Sequence, residues 1–383
     1  MDLSTIRRDI DDIDQQLTDL LCRRLDRARQ VAAYKHENGL PVLNEARERE
    51  VLDGVERRSD ASDPDHHGYG RANRQVYSTV MEVSRAMQHR LLNGGGALRA
   101  ELKHAARTLK ASPRVVCQGA RGSFSHEATS ALFSDATPQF LPQWKDVVEA
   151  VKNGDADYGV LPLENSSTGS VHEVYDLLIQ NRCRIAAAVE LPVEQCLLTL
   201  PGVSPDEVKT VVSHPQALAQ CGDFLKQRGY AERRHDNTAT AAELVASTGD
   251  RTLAAIGSKA AAAEYGLQTA IEGIQTFGGN TTRFVAISRE LCIPEDADRI
   301  TLLFCLPHTT GSLYHTLGRF ALEGLNLTKL ESRPLKTGRF EYAFYLDFEG
   351  NARSEHTVSL LCALSDELPQ FTLLGNYREK AMG

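Results

Sequence analysis

The sequence predicts three consecutive folds on one chain: an all-α segment, an α/β segment and a closing βαββαβ unit of the ferredoxin-like kind. Three observations carry that reading. An apolar stripe with alternating spacings of three and four runs from Leu3 to Val31. From Pro113 to about Ile293, short apolar runs, polar turns and helices recur in order. The remaining sequence reads strand, helix, strand, strand, helix, strand. The predicted boundaries are 1–92 for the helical domain, 93–112 for a linker, 113–293 for the α/β domain and 298–383 for the last.

Bulk properties exclude several function classes. The chain has 383 residues, enough for two or three cores, and a net charge of −8. Broad nucleic-acid binding wants a basic face and is not expected. Anionic substrates remain open, because a local basic cleft attracts them against the global sign. The eight cysteines (22, 117, 183, 196, 221, 292, 305 and 362) show no CxxC spacing and read as buried thiols, not a zinc site. The start has no apolar signal segment, and no stretch approaches the ~18 apolar residues that span a bilayer. A cytoplasmic protein without membrane contact is expected. No GxxxxGK, GxGxxG or HExxH pattern occurs, so no cofactor or metal is expected.

The first helix follows from its stripe, Leu3, Ile6, Ile10, Ile13, Leu17, Leu20 or Leu21, Leu25, Ala28 and Val31, which Gly39 and Pro41 terminate. A helix of about 32 residues is roughly 48 Å long, whereas ~90 residues pack to a radius of gyration near 12 Å. Such a helix cannot bury its stripe alone and needs a partner, most simply its own copy. Asn44 caps a second helix from Glu45 to about Arg57. Arg71 to Leu92 reads as a third, with Val76, Val80, Val83, Met87 and Leu91 inside. Ala97 to Lys110 reads as a bridging helix. Arg24 and Lys35, eleven residues apart, return to within ~20° of one face and ~16 Å of each other, so both reach one small dianion. Arg7 is ~26 Å from Arg24 on another face, and only an antiparallel partner helix brings it to the same ligand. Ser84 and Gln88 share a face of the third helix, and Arg47 and Glu48 lie on the first turn of the second. A single arginine on a helix is usually a solvated charge; the joint arrangement argues otherwise.

Residues 3 to 90 resemble the all-helical class of chorismate mutase, whose intertwined dimer shares each site between protomers. The resemblance implies a substrate set of Arg7 from the partner, Arg24, Lys35, Asn44, Arg47, Glu48, Ser84 and Gln88. The family usually has aspartate at Asn44, and the loop Ser59 to Gly70 is longer than usual. The implied reaction is the [3,3] rearrangement of chorismate to prephenate. The site must fold the substrate by holding two carboxylates, a task that suits Arg7, Arg24 and Arg47. It must also stabilise charge on the breaking ether oxygen, which suits Lys35 and Gln88.

In the middle segment, Val115-Val116-Cys117 leads into Gly119 to Ser125, and Tyr158 to Leu163 leads into Glu164 to Gly169. Val211-Val212-Ser213 leads into His214-Pro215-Gln216, His235 to Thr238 opens a helix, and Ala254-Ala255-Ile256 leads into Gly257-Ser258. Such an alternation places a ligand beyond the carboxyl ends of the strands, where helix amino termini favour anions. A further glycine-flanked turn, Asn280-Thr281-Thr282-Arg283-Phe284, offers two hydroxyls, an amide and a guanidinium. Together these turns resemble prephenate dehydratase across the segment, which departs from the family at Gly279 and Ala120. The resemblance implies a two-lobed fold like periplasmic binding proteins, with the site in the cleft. It implies substrate contacts from Ser123, Asn165, Ser166, Thr238, Asn280, Thr282 and Arg283. Prephenate would lose CO₂ and its ring hydroxyl as water, leaving phenylpyruvate. Thr282 is the candidate for the contact to the leaving hydroxyl, and Arg283 for a carboxylate.

The terminal order βαββαβ, with Lys336 to Arg339 as a hairpin turn, resembles the ACT regulatory domain of prephenate dehydratases. Gly311-Ser312-Leu313 and Glu331-Ser332-Arg333 match its two motifs. With Asn326 they imply an L-phenylalanine site at a domain–domain interface. The expectation is therefore a homo-oligomeric enzyme acting on chorismate and prephenate. The rival class, a non-catalytic amino-acid sensor on a binding-protein fold, lacks a reason for the helical constellation.

Overall fold

The computed structural model describes residues 2–92, 95–334 and 342–381. Helix α1 spans Leu3–Glu37, opened by Asp2, whose carboxylate accepts the Thr5 amide at 2.9 Å. Asn38 and Gly39, at φ 63°, end it as expected. Its only buried residue is Ala32. Leu3, Ile6, Ile10, Ile13, Leu17, Leu20 and Leu21 are all more than two-fifths exposed. The stripe therefore has no partner among the described residues. Helix α2 runs Glu45–Ala61, capped by Asn44, and extends past the expected Arg57. Helix α3 covers Tyr69–Leu92, and α4 is the short Gly96–His104.

Helix α3 corrects one expectation. Val76 and Leu91 are exposed at 57% and 48%, while Met81, Glu82, Ser84, Gln88 and His89 are buried. The inward face of α3 is polar because one side of it lines a cavity and another meets charged side chains.

The α/β segment forms two sheets. The first holds β1 (Val115–Gln118), β2 (Gln139–Leu141), β3 (Tyr158–Asn165), the short β4 (Gly169–Ser170) and β5 (Arg184–Pro192), with α5 (Phe124–Leu132), α6 (Trp144–Asn153) and α7 (His172–Asn181) between them. The chain then crosses to a second sheet of β6 (Cys196–Thr199), β7 (Thr210–Ser213), β8 (Ala231–Arg234), β9 (Leu253–Gly257) and β10 (Gln268–Ile271). Helices α8 (Pro215–Gln220), α9 (Gly222–Arg228), α10 (Thr238–Thr248) and α11 (Lys259–Tyr265) connect these strands. It returns as β11 (Thr281–Ser288), which lies between β5 and β3 in the first sheet, antiparallel to both. The two crossings run side by side, with the Val193 amide donating to the Asn280 carbonyl at 2.8 Å. Two sheets joined by a double crossing make two lobes, each with its own apolar cluster.

The rest is β12 (Arg299–Cys305), α12 (Ser312–Leu322), β13 (Leu327–Pro334), β14 (Tyr342–Glu349), α13 (Glu355–Glu367) and β15 (Gln370–Tyr377), followed by β16 (Glu379–Ala381). The order β13-β14-β12-β15 is that of a ferredoxin-like βαββαβ sheet. The Glu331 motif lies within β13. The hairpin turn at Lys336 to Arg339 falls outside the described residues.

Packing groups the chain into two compact units. One unit is Met1–His104 with Thr301–Thr372; the other is Ala105–Ile300 with Leu373–Gly383. Within the second unit, β16 pairs in parallel with β5. Seven cysteines are buried, but Cys22, on α1, is exposed. No described helix is long and apolar enough to cross a membrane.

Candidate functional site

The first site is an open cavity of about 380 Å³ lined by α1, α2 and α3. Arg24, Lys35, Asn44, Arg47, Glu48, Ser84 and Gln88 all line it, with Val31, Val51 and Met81 as its apolar wall. Helical spacing accounts for the convergence: Arg24 and Lys35 share a face of α1, and Ser84 and Gln88 one of α3. Arg24 donates to the Ser84 hydroxyl at 2.8 Å, which donates in turn to the Val80 carbonyl at 2.8 Å. Lys35 donates to the Val42 carbonyl. Burial pulls the Lys35 ammonium below its ordinary value, and the Glu48 carboxylate opposes that. The Gln88 amide oxygen is buried, and no partner for it occurs among the described residues. Asn44 spends its side-chain oxygen on the Arg47 amide at 3.0 Å, which leaves its NH₂ to donate. Arg47 reaches out to Glu50 at 2.6 Å.

Arg7 is exposed on the first turns of α1 and does not line this cavity. Sequence reasoning missed Arg27 and Arg85, which do. Arg85 pairs with Glu48. Its position, one residue past Ser84, lies ~100° off the Ser84/Gln88 face, so spacing alone hid it. The available signal was an arginine within the buried stretch of α3.

The second site sits at the lobe crossing. Asn165 ends β3 directly opposite Thr282 on β11. Its NH₂ donates to the Thr282 hydroxyl at 2.8 Å and to the Asn280 carbonyl oxygen of the side chain at 2.7 Å. Its own oxygen accepts from the Ser167 amide and hydroxyl at 3.0 and 2.6 Å and from the Thr168 amide at 3.1 Å. Ser166 fastens the turn by accepting the Thr281 amide at 2.9 Å. The amide of Asn165 is thus fixed in orientation, and Thr282 accepts a hydrogen bond from it. An accepting hydroxyl is a better donor, so Thr282 keeps a polarised O–H for a further acceptor.

Ser123 caps α5, its hydroxyl accepting the His126 amide at 3.3 Å. Thr238 begins α10, whose cap is Asn237, within the turn expected to open that helix. The two amino termini meet at Gly119, whose φ of +108° strains any other residue and whose neighbours would crowd its side chain. An added Cβ would lie 3.2 Å from the Ser123 hydroxyl and 3.3 Å from the Asn237 amide nitrogen.

Arg283 faces the other way. Adjacent strand residues point to opposite faces, so with Thr282 turned to Asn165, Arg283 turns away. Its guanidinium lies 3.3 Å from Glu164, 3.7 Å from Glu190 and 2.5 Å from Glu379, the last also 2.7 Å from Arg299. Glu164 and Glu190 are its cross-strand neighbours on either side. The charge expected to hold a substrate carboxylate is neutralised by the protein, behind the Thr282 face.

Gly311, at φ 85°, caps α12, and Ser312 donates to the Pro307 carbonyl at 2.8 Å; Leu313 follows in the helix. Asn326 donates to Glu349 at 3.2 Å. Glu331, Ser332 and Arg333 lie on β13 at the sheet edge, with Glu331 3.5 Å from Lys329. No group of three or more His, Cys, Asp or Glu able to hold a metal occurs among the described residues.

A prephenate dehydratase family model matches residues 115–291, and a chorismate mutase type II model matches residues 6–89. An arogenate dehydratase/prephenate dehydratase of Arabidopsis thaliana is 38% identical over 69% of this chain and 68% of its own length. The chain spans 66–72% of the plant arogenate dehydratases that it matches. A bifunctional chorismate mutase/prephenate dehydratase of Aquifex aeolicus is 29% identical and covers 98% of both chains. Among solved structures, a prephenate dehydratase of Arthrobacter aurescens in complex with L-Phe superposes with a TM-score of 0.62 at 29% identity, over 69% of this chain and 89% of that one. A protein described as a quorum-quenching acylase, GqqA, does so with a TM-score of 0.63 at 30% identity, over 70% of this chain and 98% of that one.

Proposed function

Because this chain belongs to the prephenate dehydratase family and carries a chorismate mutase type II domain ahead of it, we infer that one polypeptide catalyses two consecutive reactions. The first rearranges chorismate to prephenate; the second converts prephenate to phenylpyruvate, CO₂ and water. The observation that carries this reading is the cavity in which seven expected ligands, from three helices, converge.

The rearrangement breaks a C–O bond and forms a C–C bond with no covalent intermediate and no net proton transfer. The cavity therefore works by holding and polarising. Arg24 and Arg47 take carboxylates. Lys35 and Gln88 meet the ether oxygen, on which negative charge grows. Glu48 accepts from the ring hydroxyl. Arg7 completes the site from a second protomer, since the apolar stripe of α1 requires a partner helix. Covering Leu3, Ile6, Ile10, Ile13, Leu17, Leu20 and Leu21 is worth on the order of 10 kcal/mol.

Gln88 offers an internal check. Its amide donates at any ordinary pH, whereas the carboxyl of Gln88→Glu donates only when protonated, with an unperturbed pKa of about 4.3. Mutase turnover by that variant should rise as pH falls through the glutamate's pKa in the cavity. A flat profile would remove Gln88 from the ether oxygen.

In the second reaction the leaving hydroxide needs a strong donor, and Thr282, polarised by Asn165, supplies it. Electrons from the departing CO₂ complete the aromatic ring as water leaves. Asn280, Ser123 and the amide-rich start of α10 surround the substrate, with Ser166 holding the turn and Thr238 the helix end.

The βαββαβ unit is an ACT-type regulatory domain for L-phenylalanine. Its support is the pair of motifs and the edge position of β13, which a second copy can approach. Tyr314 and Leu330 are exposed at 62% and 41%, and would be covered there. Ser332→Ala and Arg333→Ala should relieve phenylalanine inhibition at least about tenfold while the uninhibited rate stays within about twofold. Inhibition that is simply competitive with prephenate and indifferent to both changes would misplace the effector. The reading as a whole is tested by giving prephenate to the purified chain. Phenylpyruvate should form, and its absence would overturn the dehydratase assignment.

A further inference from the structure

Helix α3 has two working faces. Ser84 and Gln88 look into the cavity. Glu82, Arg85 and His89, spaced by three and four, look toward α12 and α13. There they meet a charged group that neither reaction uses: Glu82 lies 2.5 Å from His315, His89 lies 2.8 Å from Glu367, and Arg319 lies 2.8 Å from Glu367. Glu82, His89 and Arg319 are at most 7% exposed. An apolar contact would pack these helices at lower desolvation cost, so the charges ask for another explanation.

Arg85 belongs to both faces. One terminal nitrogen pairs with Glu48 in the cavity, and its Nε lies 3.8 Å from Glu367 on α13. Burial opposes ionisation of Glu367, but His89, Arg319 and Arg85 outweigh it and hold the carboxyl below its ordinary range. A charged anchor thus stands behind a charged arm, and the arm ends on a residue of the cavity.

We propose that Arg85 is a positioning residue for the mutase reaction, held in place by Glu367, so that mutase turnover depends on a helix outside the mutase domain. The proposal rests on the mutase reading of the cavity. Arg85 fixes the rotamer of Glu48, and Glu367 fixes the direction from which Arg85 approaches. Any displacement of α13 then moves Glu48 relative to Arg24 and Lys35. A route therefore exists from the βαββαβ unit to the first reaction that does not pass through the dehydratase site.

The test uses the full chain and chorismate. Arg85→Met should lower mutase kcat about tenfold with KM changed less than about twofold, because orientation and not binding is lost. Arg85→Lys should recover part of that loss. Glu367→Gln should lower kcat about threefold in the unsubstituted chain and have no further effect beside Arg85→Met, since the two act along one path. Phenylpyruvate formation from prephenate should stay unchanged in Glu367→Gln. An unchanged kcat in Arg85→Met overturns the proposal. So does a Glu367→Gln loss of equal size in both backgrounds, which would report general destabilisation. Mutase turnover by the unsubstituted chain, run in parallel, reports separately on the cavity reading.

Discussion

Arg7→Ala and Arg24→Ala should each be nearly inactive as mutases, yet a mixture of the two should work. Seventeen residues of helix separate the arginines by ~26 Å, so they cannot meet one ligand on the same chain. Arg24 lines the cavity and Arg7 does not. If each site joins Arg24 of one protomer to Arg7 of the other, a mixed dimer carries one intact site and one doubly damaged site. Unfolding and refolding equal amounts together makes about half the dimers mixed, so mutase activity should return to about a quarter of the unsubstituted level. A mixture as inactive as its parents, after exchange is verified by mass, would make Arg7 a surface charge.

Thr282→Val should abolish the second reaction and spare the first. Valine keeps the β-branched shape that suits β11, so the strand should hold, while the hydroxyl that accepts from the Asn165 NH₂ is lost. Removing a donor to a leaving hydroxide costs at least about a hundredfold. Mutase turnover should remain within about twofold, because Thr282 and the helical cavity belong to different compact units. Phenylpyruvate formed at the usual rate would exclude Thr282 from the chemistry.

Much of this was legible in the residues. The stripe from Leu3 to Val31 announced both a long helix and its missing partner, because periodicity reports a face whether or not anything covers it. Arg24, Lys35, Ser84 and Gln88 were legible because helical spacing fixes relative position over many residues. Arg283 was not, for the opposite reason. In a strand the next residue faces the other way, so a motif that reads as one cluster, Thr282-Arg283, is split by the sheet. The partners that claim Arg283, Glu164, Glu190 and Glu379, come from three other strands, and only register brings them together. The return of Glu379–Ala381 to β5 was equally hidden, since three residues carry no periodicity. Arg85 shows a third limit. It lies off the face that spacing picked out, and its anchor Glu367 is 282 positions along the chain.

The central claim is that two sites on one chain act in sequence, and a time course from chorismate alone tests it most directly. With the purified chain and no other enzyme, prephenate should appear first, pass through a maximum and give way to phenylpyruvate. Chorismate that is consumed without phenylpyruvate, or phenylpyruvate that forms from added prephenate while chorismate persists, would contradict it.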